Sequence, residues 1–522
     1  MSKLLIFNPN PDIFGRHSIP TTYISSVLKN NGHEVELFDT TFMDISYLLP
    51  EKDAHEELNY SLNFFKNADH TNLNIEKKKV DVIKLFQDKI DSFKPDLITF
   101  SFWGSHLYAE GEFWAYFNGL KIINGVDLRG TPVAVGGTAP TWDTDVALGQ
   151  PQIDYVVRGE PEFVYLDIMN NIDEGHSLSG IENLWIKNSD GVYEKNNLRP
   201  LIRPLDTLPF ADYDIYDDRI FWRPYHGKMV RCIDAETSRG CLYECTFCLS
   251  PFQRNTYGVG KGEEGFPTSF RREKTIDRIV DEFSYIKNKF RLDLIRFQDE
   301  TFLSIKPDKL KELSSAYKKH VGVPFIIEAT IPSITEEKLH YLKEMGCVSL
   351  SLGLESGSFE LRKFLKKPHI KNDKIIENLA LVKKSGISYN LFNMVGFPNE
   401  TEDMIWETIN LNREVKPPYA QISHFQPWEG TPLRDYAVKE GLLDPNSLGL
   451  DNSQDTLTIS KLKSLPISQE KIMWYHNVFS YYVHLPKFLF PLVDQLKNNN
   501  ILSMFISKFL KFMIKLRWAF IR

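Results

Sequence analysis

Over the first third of the chain, short apolar runs alternate with stretches whose apolar positions repeat at helical spacing, the pattern of a parallel sheet covered on both faces. The runs predict strands at 4–7, 35–38, 96–101, 133–135 and 154–157. Helices are predicted over 21–31, within the charged stretch 51–92, and over 108–124 and 160–171. This segment therefore reads as doubly wound and Rossmann-like. In such sheets ligands gather outside the carboxyl ends of the strands, where Gly136 and Gly137 stand; paired glycines permit close backbone approach to a ligand, or simply a tight turn. From 177 to 225 the periodicity weakens and prolines 200, 204, 209 and 224 recur, which predicts a linker. A second α/β pattern follows, with apolar runs at 232–235, 292–297, 324–329, 348–354, 389–395 and 420–425. Helical spacing fills 274–289, 335–345, 372–385 and 402–414 between them. Six strand-then-helix repeats predict a partial (β/α)6 barrel whose strand ends face one cavity. The expected divisions are a doubly wound domain at 1–175, a linker at 176–225, the partial barrel at 226–450 and a helical C-terminal extension at 451–522.

Composition narrows the choice of partners. Lys and Arg total 62 against 69 Asp and Glu in 522 residues, a net charge of −7, so nothing in the balance favours a nucleic acid. A small-molecule substrate is expected. Five cysteines are too few and too uneven for a disulfide scaffold, and MSKLLIFNPN lacks the apolar core and small-residue cleavage site of a secretory signal. The expected location is the cytoplasm. The tail differs in character: aromatics crowd 474–490, and 501–522 carries Lys508, Lys511, Lys515, Arg517 and Arg522 without an acid. Positions 508, 511, 515 and 522 share one helical face, so this is a basic amphipathic helix that either packs onto the protein or rests peripherally on an anionic membrane. Such a tail makes a lipid substrate a candidate.

The strongest chemical signal is RGCLYECTFC, in which Cys241, Cys245 and Cys248 fall within eight residues after a predicted strand. Thiolates this close serve a soft metal centre. Three ligands are one short of a closed structural zinc site, and neither Cys232 nor Cys347 sits in a paired zinc-ribbon spacing. A cubane iron–sulfur cluster held by three cysteines would leave one iron open to an outside ligand.

The string resembles the CxxxCxxC loop of the radical S-adenosylmethionine (SAM) enzymes, with Phe247 at the aromatic position before the third cysteine. The resemblance implies that Cys241, Cys245 and Cys248 bind a [4Fe-4S] cluster whose fourth iron chelates SAM, and that reductive cleavage yields a 5′-deoxyadenosyl radical. An electron donor such as flavodoxin or ferredoxin is implied as a partner. FQDETF resembles the family's second-strand segment, placing Asp299 and Glu300 near the SAM amino group. GLESGS resembles the fourth-strand motif, with Glu355 and Ser356 near the ribose and methionyl part. GFPNET resembles the fifth-strand loop, where backbone at Val395, Gly396 and Phe397 would contact adenine, and HFQPWEGTPL resembles the sixth-strand end.

The leading domain, with VAVGGTAP, DYVVRGEPE and LDTLPFADYD, is similar to the cobalamin-binding subgroup of that superfamily. Under this resemblance Gly136 and Gly137 line the nucleotide tail of cobalamin and Ser101 stands on a neighbouring loop, while Arg158 and Glu160 serve domain stability. One departure matters. The loop after the first strand reads NPNPDIFGRH in place of Asp-X-His-X-X-Gly, and the nearest imitation, Asp53 to Leu58, ends in Leu and falls after the second strand. Cobalt ligation by histidine is not expected. The implied activity is methylation of an unactivated carbon through the radical. Cyclisation, rearrangement or C–C bond formation without net methyl transfer is the enzymatic alternative, and a non-catalytic cofactor-binding or redox-sensing protein is the alternative of another class.

Overall fold

The computed structural model describes residues 1–10, 13–14, 17–48, 68–102, 119–137, 140–141, 144–188, 191–259, 270–445, 462–498 and 501–521. Two seven-stranded sheets organise the chain. The first is built from β1 (Lys3–Asn8), β2 (Glu34–Asp39), β3 (Leu97–Phe102), β4 (Val133–Gly137), β5 (Tyr155–Val157), β6 (Leu184–Lys187) and β7 (Tyr193–Lys195). Its order is β2-β1-β3-β4-β5-β6-β7, with β1 to β5 parallel and the last two antiparallel. Leu4, Leu5, Ile6 and Phe7 are all buried, as a parallel strand sandwiched by helices requires. Val27 and Leu28 of α1 (Ile19–Asn30) and Val164 and Ile168 of α3 (Glu162–Glu174) are buried, as are Phe86 and Ile90 of α2 (Val82–Phe93). The α1 helix starts two residues before the expected Thr21 because Pro20 occupies its first turn, where a missing N–H costs nothing, and Ser18 caps it by accepting the Thr21 N–H at 3.2 Å. The 51–67 part of the charged stretch, with Asp53 to Leu58, lies outside the described residues.

Within 176–225 the chain adds β6 and β7 to the first sheet and β8 (Trp222–Tyr225) to the second. The second sheet continues with β9 (Lys228–Ala235), β10 (Leu294–Phe297), β11 (Phe325–Thr330), β12 (Cys347–Glu355), β13 (Ser388–Val395) and β14 (Tyr419–His424) in consecutive order. From β9 onward every pairing is parallel. The connections carry α4 (Leu249–Thr256), α5 (Ile276–Phe290), α6 (Pro307–His320), α7 (Glu336–Met345), α8 (Asn372–Ser385) and α9 (Glu402–Val415). Thr275, Thr335 and Thr401 cap α5, α7 and α9 through side-chain oxygens that accept the N–H groups of Arg278, Lys338 and Met404. Gly346 and Gly386 end α7 and α8 in the left-handed conformation. Parallel strands in consecutive order make a half-barrel with six carboxyl ends around one mouth.

The two sheets share a core: Ile19, Tyr23 and Val27 of α1 belong to the same apolar cluster as Ile233, Phe297 and Leu350 of the half-barrel. Beside it lies a buried ion pair, Lys274 to Glu282 at 2.7 Å, with the Lys274 ammonium also donating to the Tyr23 hydroxyl at 2.6 Å. At the C-terminus α10 (Gln469–His484) ends before Pro486 and packs Val478, Phe479 and Tyr482 against Ile405, Ile409 and Ile422. Leu510 and Ile514 of α11 (Ile501–Ile521) join the same cluster. Among the described residues no helix is long and apolar enough to cross a membrane.

Candidate active site at the mouth of the half-barrel

The cysteine loop leaves the carboxyl end of β9 and is fixed at each step. Ser238 and Arg239 pair antiparallel with Arg272 and Glu273. Gly240 follows at φ +92°, and a Cβ there would lie 2.5 Å from the Phe270 carbonyl oxygen, so only glycine fits without displacing backbone. The Cys248 N–H donates to the Cys245 carbonyl at 3.1 Å, and Cys248 is the N-cap of α4. Thr246 N–H donates to Leu365 O at 2.9 Å and its carbonyl accepts from Leu433 N–H at 2.9 Å, while the Tyr243 hydroxyl meets Thr330 Oγ1 at 3.0 Å at the end of β11.

Burial pushes the Cys241 thiol up to about 12, with Cys248, Cys245 and Glu300 adding to the rise against the Tyr243 N–H that points at its sulfur. Burial likewise pushes Cys245 up to about 12, opposed by Lys367 and reinforced by Cys248 and Glu355. The three thiols and two strand-end carboxylates thus share one electrostatic site. A cation bound by these thiols would take the place of their protons.

The predicted carboxylates separate into different jobs. Asp299 is fully buried and already engaged: it accepts Thr237 N–H at 3.0 Å, Thr237 Oγ1 at 2.7 Å and the Ser238 hydroxyl, which ties the start of the cysteine loop to β10. Glu300 is solvent-accessible, though surrounded by protein, and accepts the Gly240 N–H at 3.1 Å. Desolvation, joined by Asp299 and Glu236, pushes its carboxyl up to about 7 despite the backbone N–H groups it accepts. Glu355 ends β12 at φ +65°, a strained setting for a side chain of this kind, and its Oε1 lies 2.8 Å from the Lys367 ammonium. Burial alone would lower Lys367; Glu355 and the Cys245 thiol hold it well above the ordinary lysine range.

Ser356 turns away from this group. Its hydroxyl meets Thr408 Oγ1 of α9 at 3.2 Å and accepts the Ser358 N–H at 3.1 Å. At the next strand end, the N–H groups of Gly396 and Phe397 donate to Glu400 Oε2 at 2.6 and 3.2 Å, and the Val395 carbonyl accepts from Phe425 N–H at 2.8 Å. Backbone around 395–397 is therefore held by the fold, and its aromatic face is the more prominent feature. Phe397 stacks on Phe425 with ring centroids 5.1 Å apart, and Phe247 tilts against it at 5.8 Å. His424, at the end of β14, stacks on His476 of α10 at 4.2 Å; burial, and then His476, keeps it well below the ordinary histidine range.

At the first sheet, Ser101 of β3 pairs with Gly136 of β4. A Cβ on Gly136 would meet the Tyr165 hydroxyl at 3.4 Å, an ordinary contact, and Gly137 ends the strand at φ +113°. Residues 103–118, with most of the helix expected at 108–124, and residues 138–139 lie outside the described residues. His17 is committed to the half-barrel, with Nε2 3.1 Å from the Asp234 carbonyl oxygen.

Glu160 does more than stabilise its own domain. It lies 2.7 Å from Arg272 and 3.1 Å from Arg239, while Glu162 accepts from Arg239 at 2.6 Å. Arg239, two residues before Cys241, is thereby clamped by the first domain, and Tyr257, just after α4, accepts the Glu160 N–H at 2.8 Å. Sequence reasoning missed Arg239, Arg272, Glu162 and Lys367. The Arg-Gly preceding Cys241 and the acids of GEPE were visible signals for the clamp; Lys367 had none.

A half-barrel with a three-cysteine loop at its mouth, sharing a core with a doubly wound domain, defines a two-domain α/β class. Residues 235–411 match the profile of the Radical SAM superfamily. It is 27% identical over 356 residues to an uncharacterized methyltransferase of Pyrococcus horikoshii, covering 68% of this chain and 72% of that one. It is 23% identical over 484 residues to the cytidylyl-2-hydroxyethylphosphonate methyltransferase of Streptomyces wedmorensis, covering 85% and 83%. In fold it is similar to the radical SAM methyltransferase TsrM of Kitasatospora setae, solved with cobalamin and a [4Fe-4S] cluster, at a TM-score of 0.66 and 14% identity over 99% of this chain and 100% of that one. The cobalamin-dependent radical SAM enzyme OxsB is similar at 0.62 and 14%, covering 99% and 72%.

Proposed function

We propose that the chain is a cobalamin-dependent radical SAM methyltransferase that methylates an unactivated carbon of a small molecule. The observation that carries the reading is the convergence of Cys241, Cys245 and Cys248 with Glu300 and Glu355 at successive strand ends of one half-barrel mouth. Thiolates on one buried loop fit a cluster gripped at separate corners, and their donor softness suits iron–sulfur chemistry. The cluster supplies the electron that cleaves SAM, and cobalamin supplies a methyl carrier.

The remaining work falls to this chain. Cys241, Cys245 and Cys248 hold the cluster, with Lys367 offsetting the negative charge that collects at Cys245 and Glu355. Glu300, accessible and lightly bonded, is the acceptor for the SAM ammonium, whereas Asp299 shapes the loop. The half-buried Phe247 ring, backed by the buried rings of Phe397 and Phe425, offers adenine an apolar contact. At the first sheet, Ser101, Gly136 and Gly137 mark the edge where the nucleotide tail lies.

Anaerobic reconstitution with iron, sulfide and hydroxocobalamin tests this. Bound cobalamin, S-adenosylhomocysteine and 5′-deoxyadenosine from SAM under reductant are expected; failure to retain cobalamin removes the methyltransferase reading. A second reading has one supporting observation: the chain is also 23% identical, over 53% of its length, to an anaerobic magnesium-protoporphyrin IX monomethyl ester cyclase of Rubrivivax gelatinosus. Deoxyadenosine formation without S-adenosylhomocysteine would favour radical cyclisation over methylation.

A further inference from the structure

The C-terminal helix α11 carries three distinct faces. At about 100° per residue, Ser503, Ser507, Leu510 and Ile514 fall on one side and are buried against the protein. Leu502, Phe505, Phe509, Phe512 and Leu516 recur at alternating spacings of three and four, on a stripe pointing away from that side. They are 60, 65, 46, 56 and 39% exposed. Of the eleven large apolar side chains exposed among the described residues, five stand on this one stripe, so it is a patch and not ordinary scatter. Lys508 and Lys511 fall between the buried side and the stripe, and the sequence 501–522 adds Lys515, Arg517 and Arg522 with no acid.

We propose that this stripe is an interfacial membrane anchor that seats the enzyme on an anionic lipid surface. Charge decides the occupant. The chain as a whole is acidic, with a net charge of −7, yet the helix that carries this stripe has only basic charged residues, with Lys508 and Lys511 along one edge of it, which complements anionic headgroups. Long basic side chains beside the stripe reach the headgroup layer while the aromatics enter the acyl boundary. Area argues against a second copy of the chain. At roughly 200 Å² for each large side chain, the exposed portions sum to about 500 Å², short of the roughly 800 Å² per partner of a stable dimer. The helix lies on the surface and does not cross, since no described helix is apolar and long enough to span.

The inference stands apart from the cofactors, because binding is read without turnover. Reconstituted full-length protein is sedimented with sucrose-loaded phosphatidylcholine vesicles, with and without phosphatidylglycerol. Wild type is expected to pellet with the anionic vesicles and to release on raising the salt. The joint variant Phe505→Ser, Phe509→Ser, Phe512→Ser, altered only at exposed positions, should lose partitioning by on the order of a hundredfold while keeping its iron content and circular dichroism. Lys508→Glu with Lys515→Glu should lower binding to the anionic vesicles by roughly tenfold or more and leave the neutral ones unchanged. Equal partitioning of wild type and the triple-serine variant would overturn the proposal. So would a concentration-dependent dimer that the serines dissociate, with no vesicle binding by either protein.

Discussion

The two sheets present their carboxyl edges very differently. At the half-barrel mouth nearly every polar group is a side chain held by another side chain: Asp299 by Thr237 and Ser238, Glu355 by Lys367, and Arg239 by Glu160 and Glu162. At the first sheet the described edge around β4 is backbone and glycine, Gly136 beside Tyr165 and Gly137 at a left-handed turn. One site is specified by chemistry and the other by shape. A metal and a sulfonium substrate demand particular donors, whereas a large flat macrocycle needs room and a backbone that stays out of its way. The same contrast should appear when each edge is perturbed.

The largest effect belongs to the thiols. Replacing any one of Cys241, Cys245 or Cys248 with alanine should reduce cluster iron and bring 5′-deoxyadenosine production to background, beyond the roughly 10–100-fold losses typical of outer-shell changes. Cobalamin bound at the first sheet should remain, read from its visible spectrum. Simultaneous loss of both cofactors would mean that the edges are not separable. Next in size is the buried ion pair. Lys367→Met leaves Glu355 uncompensated and should cost about 3–5 kcal/mol in denaturant unfolding, while Glu355→Gln together with Lys367→Met should recover most of it. If the single and double variants are equally stable, the pair is not coupled.

The glycines permit a direct comparison of the edges. Gly240→Ala requires a side chain at φ +92° and a Cβ 2.5 Å from a carbonyl oxygen, so a loss of about 2–3 kcal/mol and a drop in cluster content are expected. Gly136→Ala meets only ordinary contact at 3.4 Å and should cost less than about 1 kcal/mol with iron unchanged. Thermal unfolding and iron analysis of the two variants decide the matter; the reverse ranking would contradict the loop geometry.

This asymmetry also explains what could be read from the chain. The strands and helices of both α/β regions were legible because buried parallel strands are continuous apolar runs, as in LLIF, and because threonine caps and terminal glycines punctuate the helices. The cysteine loop was legible because its residue types have few other uses at that spacing. The antiparallel β6 and β7 were not, since WIKN and VYEKNN are short, polar and proline-flanked. Lys367 could not be found either. It reaches Glu355 only after the chain turns through the short helix Phe359–Phe364, and no local pattern records that closure. Asp299 and Glu300 are neighbours in sequence with matching chemistry, yet only three-dimensional packing distinguishes the tied carboxylate from the accessible one.

A further effect is a pH dependence located at the fifth-strand loop. Glu400 is fully buried, and desolvation pushes its carboxyl up to about 8 even though it accepts the Gly396 and Phe397 N–H groups. In the unfolded chain the same group loses its proton near the ordinary value of 4.5. Between these values the folded state holds a proton that the unfolded state does not. The contribution to stability is therefore complete below the lower value and is lost as pH rises toward the upper one, at roughly 1 kcal/mol per pH unit. Glu400→Gln keeps an oxygen for the two N–H groups and removes the titration. Wild type should become less stable to urea between pH 5 and pH 8, and the glutamine variant should show a shallower slope by that amount. Identical slopes would mean that Glu400 is ionised in the native loop, with its two backbone donors outweighing burial.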